Sequence, residues 1–537
     1  MMADTKTLSA DVVVIGSGIA GGLAARRLAA DGIDVLILEA GPELNRGEIV
    51  ERFRNSAYKG DFMDAYPAAP WAPQPKFQPK DNNYLIQMGP DPYRGMYLRG
   101  TGGTTWHWAG QAFRLMPNDF RLRSLYDQGR DWPISYDDLE PFYTEAEYEI
   151  GVSGDEDLGS PRSRPYPMPP VALSAELETI RTTMGSGRYR LSIGPQARNS
   201  VAYAGRAACC GNNNCMPICP VDAQYHGGIS VERARAAGAR VLANAVVYRL
   251  ETDARGNIVA AHFLDPDKVS HRVTGKIFAL CANGMESPRL LLNSADAQNP
   301  GGVANRSDMV GRNLMDHPGS SVEFFAKDPT WFGRGPMRPA SMNDFRDGAY
   351  RRDHAAMRID MACTNPVRTL TERLVAKGVY GDALNQQIRD QAAHYVLLKS
   401  LFEMLPDPEN RITLSKTAKD AWGIPRMEVH YRFPEYVNRA YDACLTDFAA
   451  VAEKLGGTGI TYSKRGVYDN NQHITGTMVM GADPATSVVS AECRAHDHAN
   501  LYIGGTGVMP SCATVNSTLT GTALALKMAS HIRLALG

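Results

Sequence analysis

The sequence has no long apolar run: nowhere does it hold the roughly 18 uncharged apolar residues that a membrane-spanning helix needs. Insertion into a bilayer by the chain itself is therefore not expected. An excess of either charge is also missing, with 57 Lys and Arg against 58 Asp and Glu and no clustered basic block. Nucleic acid or an anionic membrane surface would call for such a block, so no nucleic-acid partner is expected. The stretch before Asp11 has no apolar segment of the kind a cleavable export signal carries, and no signal peptide of its own is expected. Internal repeats are absent, which sets aside solenoids and propellers. Cysteine is sparse, nine in 537 residues, and five of them (Cys281, Cys363, Cys444, Cys493 and Cys512) are scattered in contexts where a buried inert thiol is the ordinary outcome. The remainder is a globular composition, 44% hydrophobic and 21% charged, long enough to bury a large core in more than one domain.

What is present begins with Asp11 to Gly41. Val12 to Ile15 is apolar and β-branched, as suits a strand buried on both faces of a parallel sheet. Gly16, Gly18 and Gly21 then form GxGxxG ahead of a helix predicted over Ile19 to Ala30. In that motif the glycines allow a tight turn, close approach of backbone to a pyrophosphate, and close packing of helix on strand, while the helix N-terminus faces the phosphates. A second apolar strand, Val35 to Leu38, ends at Glu39, about 20 residues on, where a carboxylate accepts hydrogen bonds from a ribose diol. Together these predict a dinucleotide pocket.

Ala40 to Gly95 is rich in Pro, Asn, Asp and aromatics with little periodicity, and reads as an extended lid. Gly102, Gly103, Thr104 and Thr105 then predict a turn whose backbone approaches a ligand closely, with His107 between Trp106 and Trp108 beside an aromatic wall. The proline-rich stretch Ser160 to Pro170 reads as a surface linker. Beyond it, Ile229 to Ala239 predicts a helix, Arg240 to Asp253 one or two strands, Asn257 to Asp265 a returning strand, Phe278 to Cys281 a short buried strand and Ser287 to Ser294 a helix. The α/β pattern of the opening thus resumes after inserted material. Ser321 to Lys327, His394 to Leu405 and Met427 to Phe433 read as strands, Glu435 to Leu455 as an amphipathic helix, Leu501 to Gly507 as a strand into a glycine turn, and Thr518 to Leu536 as a closing helix. The expected fold class is α/β (α+β overall), a discontinuous Rossmann-like nucleotide domain joined to an antiparallel-sheet domain.

Four cysteines fall close together: Cys209, Cys210, Cys215 and Cys219, with Pro220 after the last. A zinc site ordinarily uses two separated Cys pairs, whereas closely spaced thiolates followed by proline suit iron–sulfur ligation. Adjacent cysteines rarely both point at one cluster. Without Cys210, three ligands remain, Cys209, Cys215 and Cys219, the number a [3Fe-4S] cluster takes. Zinc and a disulfide are the other readings, and Cys210 is left as spare, a fourth ligand, or a link to a partner.

Four blocks now resemble the glucose-methanol-choline (GMC) flavin oxidoreductases over nearly the whole chain. They are the glycine motif with Glu39, the Gly102–Thr105 turn, the run Gly284 to Leu291, and Asn500 to Tyr502 leading to Pro510 and Asn516. With the cysteine run, the sequence is most similar to catalytic large subunits of bacterial membrane-associated sugar dehydrogenases. The resemblance implies FAD bound by Gly16, Gly18, Gly21, Glu39, Gly102, Gly103, Thr104, His107, Val246 and Gly505. It assigns a catalytic pair, His473 and Asn516: a neutral imidazole takes the hydroxyl proton while hydride leaves for the flavin, and Asn516 holds the same oxygen. Asn471 and Gln472 become candidates for substrate hydroxyls. The implied domain layout is 1–45, 90–120, 225–320 and 495–537 for FAD, 46–89, 121–195 and 321–494 for substrate and lid, and 196–224 for the cluster.

The same likeness implies oxidation of a sugar or polyol, with D-glucose going to its lactone first and fructose, sorbitol or gluconate as alternatives. Electrons would pass through the cluster to a membrane-bound multihaem cytochrome c, and a small chaperone-like subunit with an export signal would place the complex on the periplasmic face of the inner membrane. Gly102 to Trp108 further resembles the Gly-Gly-x-Ser-x-His-Trp run of pyranose oxidases, which implies covalent FAD through His107; the alternative is a noncovalent histidine packed between its tryptophans. Two positions depart from the family: Gly504-Gly505 where an Asp is usual, and Asn516-Ser517 where Asn-Pro is usual. Gly505 leaves a backbone N–H to meet the pyrophosphate. The rival functions are an oxygen-using GMC oxidase, a flavin-retaining lyase and a noncatalytic nucleotide-binding scaffold. The cysteine cluster speaks against the first two, and His473 with Asn516 against the third.

Overall fold

The computed structural model describes residues 7–57, 62–75, 84–155, 158–331 and 333–537. Its centre is a parallel sheet in the order Arg240–Leu242, Val35–Leu38, Thr7–Ile15, Ser270–Leu280, extended by Leu501–Ile503 along the end of Ser270–Leu280. Val12, Val13, Val14 and the whole of Val35–Leu38 are buried, because helices cover both faces. An antiparallel hairpin, Val246–Thr252 and Ile258–Leu264, pairs with the first half of Ser270–Leu280. That strand is much longer than the predicted Phe278 to Cys281. Its first half, Ser270 to Gly275, is polar because it faces a hairpin rather than a helix layer.

Helix Ile19–Ala30 packs on helix Thr518–Leu536, which in turn packs on Tyr136–Ile150. Twelve residues of Thr518–Leu536 are buried, Lys527 included, so it is a core helix rather than an amphipathic one. Tyr136–Ile150, in a stretch with no sequence prediction of its own, starts at a capping box: Ser135 Oγ accepts from Asp138 N, and an Asp138 carboxylate oxygen accepts from Ser135 N.

The second sheet is antiparallel, in the order Thr458–Tyr462, Pro318–Phe325, Tyr395–Phe402, Met357–Met361, Ala340–Met342, Leu191–Ile193, with Asp469–Asn470 also on Pro318–Phe325. The amphipathic helix Glu435–Lys454 lies against it through Val437, Cys444, Phe448 and Val451. A third, small sheet joins Arg411–Lys419, Pro425–His430 and Ile86–Gln87. The stretch read as an extended lid contains a helix, Arg46–Asn55, capped by Asn45 Oδ1 accepting from Glu48 N. The cap and a single buried anchor, Ile49, hold that helix where apolar periodicity is too weak to announce it. Residues 58–61 and 76–83 of the same stretch lie outside the described residues.

Candidate functional site

The glycine motif closes as its chemistry demands. A Cβ on Gly21 would sit 2.0 Å from the Gly16 carbonyl oxygen, and one on Gly16, at φ +97, would sit 2.7 Å from that of Cys281. Gly18 meets nothing within 4 Å and faces open space at the start of helix Ile19–Ala30. This is the geometry of a backbone left bare for a phosphate. Glu39 is buried at the strand end, its carboxylate accepting from Ser17 N at 3.0 Å, Ser17 Oγ at 2.6 Å and Gly41 N at 3.0 Å. Burial raises its pKa, against the lowering effect of those donors.

Gly16, Gly18, Glu39, Gly103 and Thr104 line one cleft, which meets a larger cavity of about 300 Å³ at Thr104, Cys281 and Asn283. The pair makes one elongated site, dinucleotide end first. Gly102 N donates to Ser17 Oγ at 3.1 Å, which ties the Gly102–Thr105 turn to the motif. Gly505 lies on the larger cavity at φ +92, where an added Cβ would meet Ala20 alone, at 3.6 Å. Its backbone is therefore accessible, as the missing acid requires. Val246 needs correction: Ala245 and Val247 form the cleft wall, while the Val246 side chain packs with Ala72 and Ile424, since alternate residues of a strand face opposite ways.

His107 lies on the wall of the larger cavity, 2% exposed, and burial pushes its pKa down to about 4. It is not sandwiched by tryptophans. Trp106 stacks on His226 at 3.7 Å, Trp108 donates from Nε1 to Tyr225 O at 2.7 Å, and among the described residues Tyr66 is set edge-on to His107 at 5.8 Å.

At the other side of the cavity the structure brings His473 and Asn516 together, Nδ2 of Asn516 lying 2.7 Å from His473 Nε2. The surrounding chain of hydrogen bonds assigns every proton. His317 Nε2 faces two carbonyl oxygens, Ala513 at 2.9 Å and Cys512 at 3.2 Å, so it carries hydrogen and its Nδ1 accepts. His473 Nδ1, 2.9 Å from that acceptor, must then be the donor. The lone pair of neutral His473 is left on Nε2, where Asn516 Nδ2–H points. Asn516 itself is oriented by Arg358, whose Nη2 donates to Asn516 Oδ1 at 2.9 Å. Arg358 is fully buried and forks onto Asp360 at 2.8 and 3.0 Å.

Asp316 holds this corner by accepting from the backbone N–H of His473 at 2.9 Å and of His317 at 2.7 Å. Burial raises its pKa to about 7, although those N–H groups oppose it. Burial, then Arg358, pushes His317 down to about 4. Burial, then His317 and Arg358, pushes His473 well below the ordinary histidine value. A base so poised stays neutral as pH falls.

Asn471 and Gln472 line the same cavity, but their side chains are partly spent. Asn471 Nδ2 donates to His317 O at 2.7 Å, leaving its oxygen open. Gln472 accepts from Met96 N and donates to Asn470 O at 3.2 Å, so its amide braces the loop and is a poorer substrate contact than the sequence suggested. Arg338, Lys399 and Asp360 line the cavity as well and were not picked out from the sequence. The available signal was Arg358-x-Asp360, an ion pair on one face of a strand.

Of the four clustered cysteines, Cys215 and Cys219 are buried, Cys209 is half-buried and Cys210 is exposed, all as free thiols. Buried Arg198 lies beside them. Burial works against its charge, and Cys215, Cys209 and Cys219 outweigh that effect and raise its pKa. A buried guanidinium facing three thiols is a donor set suited to an anionic iron–sulfur centre. The loop also adjoins the cavity, since Met216 lines it, and Gln224 Nε2 bridges Trp108 O at 2.7 Å and Cys215 O at 3.4 Å.

Comparison with known proteins agrees with this geometry. Residues 14–45 match the NAD(P)-binding Rossmann-like domain and residues 406–525 match GMC oxidoreductase. The chain is 45% identical to the fructose dehydrogenase large subunit of Gluconobacter japonicus, over 98% of each chain. It is 30% identical to paromamine 6'-oxidase of Streptomyces fradiae, over 97% of this chain and 91% of that one. The crystal structure of pyridoxine 4-oxidase from Mesorbium loti shares the fold, with a TM-score of 0.62 at 18% identity over 98% of this chain and 99% of the other. The chain belongs to the GMC oxidoreductase family, FAD-dependent enzymes that act on the CH–OH groups of sugars and alcohols.

Proposed function

We propose that this protein is the catalytic large subunit of an FAD-dependent sugar dehydrogenase, with D-fructose as its first substrate. The likeness to a fructose dehydrogenase large subunit moves D-fructose ahead of D-glucose, the sequence-based first choice, and leaves sorbitol and gluconate behind both. The observation that carries the reading is the unprotonated Nε2 of His473 paired with Asn516 Nδ2 on the wall of a cavity continuous with the dinucleotide cleft, a pairing into which a substrate hydroxyl would insert. Gly16, Gly18, Gly21, Glu39, Gly103 and Thr104 would hold FAD, which supplies a hydride acceptor when bound. His473 Nε2 takes the substrate hydroxyl proton. Asn516, oriented by Arg358, would donate to the same oxygen. Anaerobic bleaching of the flavin against a panel of sugars tests the reading.

Because His473 is depressed well below the usual value of 6.5, its active, neutral form persists into acid. The acid limb of the flavin reduction rate is expected below pH 6.5, measured by rapid mixing across pH. A limb at or above that pH would exclude His473 in this environment as the base.

Cys209, Cys215 and Cys219 would hold a [3Fe-4S] cluster, which passes single electrons onward. The exposure of Cys210 leaves it outside that set. A multihaem cytochrome c on the membrane and a small chaperone-like subunit complete the proposed complex, which lies on the periplasmic face. One observation agrees with partner subunits: the relative is itself named a large subunit. Attachment of FAD through His107 is also proposed, because that ring lines the cavity. After acid precipitation the flavin fluorescence is expected in the protein pellet; yellow colour wholly in the supernatant would refute the bond.

A further inference from the structure

The cavity has a second charged wall that the proton-transfer groups do not use. Lys399 sits in the middle of the strand Tyr395–Phe402, directly across from Asp360 on Met357–Met361, and Arg338 lies just before Ala340–Met342. All three line the cavity together with His473 and Asn516. The charges on this wall do not cancel. Asp360 gives both oxygens to Arg358, so it is already neutralised. Asp469 approaches Lys399 at 3.7 Å but is 69% exposed, a pairing that water screens. Arg338 Nη1 is buried and has no hydrogen-bond partner among the described residues, while its backbone is fixed by Gln196 Nε2 donating to Arg338 O at 2.8 Å. Strand Tyr395–Phe402 and the residue just ahead of Ala340–Met342 therefore present two cations, one with an unspent N–H, to a cavity whose other charged lining residue, Asp360, is already paired.

We infer that Arg338 and Lys399 form a specificity subsite that grips the electron-rich end of the sugar, away from the carbinol that loses hydride. The chemistry selected is a pair of oxygens on one carbon: the hemiketal carbon of a ketose or the carboxylate of an aldonate. A fully reduced polyol offers hydroxyls that donate as readily as they accept and fits less well. The subsite thus deepens the proposed function and rests on it. It predicts preference for D-fructose over D-sorbitol, and it makes D-gluconate an expected ligand of this same cavity.

The test uses the FAD-loaded protein with Arg338→Gln and Lys399→Gln, and Lys399→Arg as the conservative control. Loss of a charged hydrogen bond is expected to raise KM for D-fructose by about tenfold or more in each Gln variant, with kcat little changed because His473 and Asn516 remain. Binding of D-gluconate, read from its perturbation of the oxidised flavin spectrum without turnover, is expected to weaken by at least about tenfold. D-sorbitol should be affected less, so the fructose-to-sorbitol ratio of kcat/KM falls, and Lys399→Arg should restore most of it. Retained flavin reports an intact fold, and if Arg338→Gln loses it, Lys399→Gln carries the same expectations. KM and gluconate affinity both within twofold of wild type, or a loss confined to kcat, would overturn the subsite. A wild type whose flavin no sugar bleaches would instead overturn the functional reading, and gluconate binding would still decide the subsite.

Discussion

His473→Ala is expected to slow flavin reduction by a saturating sugar by about a hundredfold or more, the range that positioned acid–base catalysis contributes. The reason is a single nitrogen. Nε2 is the one ring position left unprotonated, because His317 accepts from Nδ1 and is itself held by the carbonyls of Ala513 and Cys512. Without it the alcohol must lose its proton to solvent. FAD should remain bound, since the glycine motif and Glu39 lie on other elements. The kinetics are read by anaerobic rapid mixing, and near wild-type rates would assign the proton to another residue. His317→Ala provides a graded control, since it leaves Nε2 in place but removes the acceptor that selects the tautomer.

Cys215→Ser is expected to abolish electron delivery to a cytochrome acceptor while leaving flavin reduction nearly intact. The thiol is buried beside Arg198, and the backbone carbonyl of Cys215 is joined through Gln224 to that of Trp108 on the cavity wall. Removing one of three ligands loses the iron, whereas Cys210→Ser should keep it. Iron content, the flavin spectrum and acceptor reduction are measured on the same samples. Unchanged delivery in a protein free of iron would remove the proposed relay.

The parts of the fold legible in the sequence are those set by local pattern. Val12 to Ile15, the glycines and Glu39 form a continuous strand–turn–helix–strand, and each residue's role there is decided by its neighbours in the chain. Glu435–Lys454 was legible from its apolar periodicity, and Thr518–Leu536 from the run of Ala, Leu, Met and Lys that follows its first turns. The cysteine run carried its own chemistry. His473 and Asn516 were legible through their surroundings in sequence, but the tautomer that makes His473 a base was not. It depends on His317, 156 residues away.

Arg338, Arg358, Asp360 and Lys399 escaped for a related reason. Arg358, Asp360 and Lys399 lie on two paired strands of the antiparallel sheet and Arg338 just ahead of a third, and a lone basic residue in a strand reads as a solvent-facing position until its neighbours are known. Helix Arg46–Asn55 escaped because it buries just Ile49 and owes its start to the Asn45 cap. Val246 was misplaced by one residue, which in a strand is the difference between one face and the other.

The central claim is that sugar reduces FAD in this cavity and that the cysteine cluster then takes single electrons. Anaerobic titration of the purified protein with D-fructose tests it directly, followed by flavin absorbance and by the EPR signal of the oxidised cluster. Bleaching of the flavin with loss of that signal, by D-fructose before D-glucose or D-sorbitol, is the predicted result. A flavin that stays oxidised with every sugar, or one that bleaches while the protein contains no iron, would contradict it.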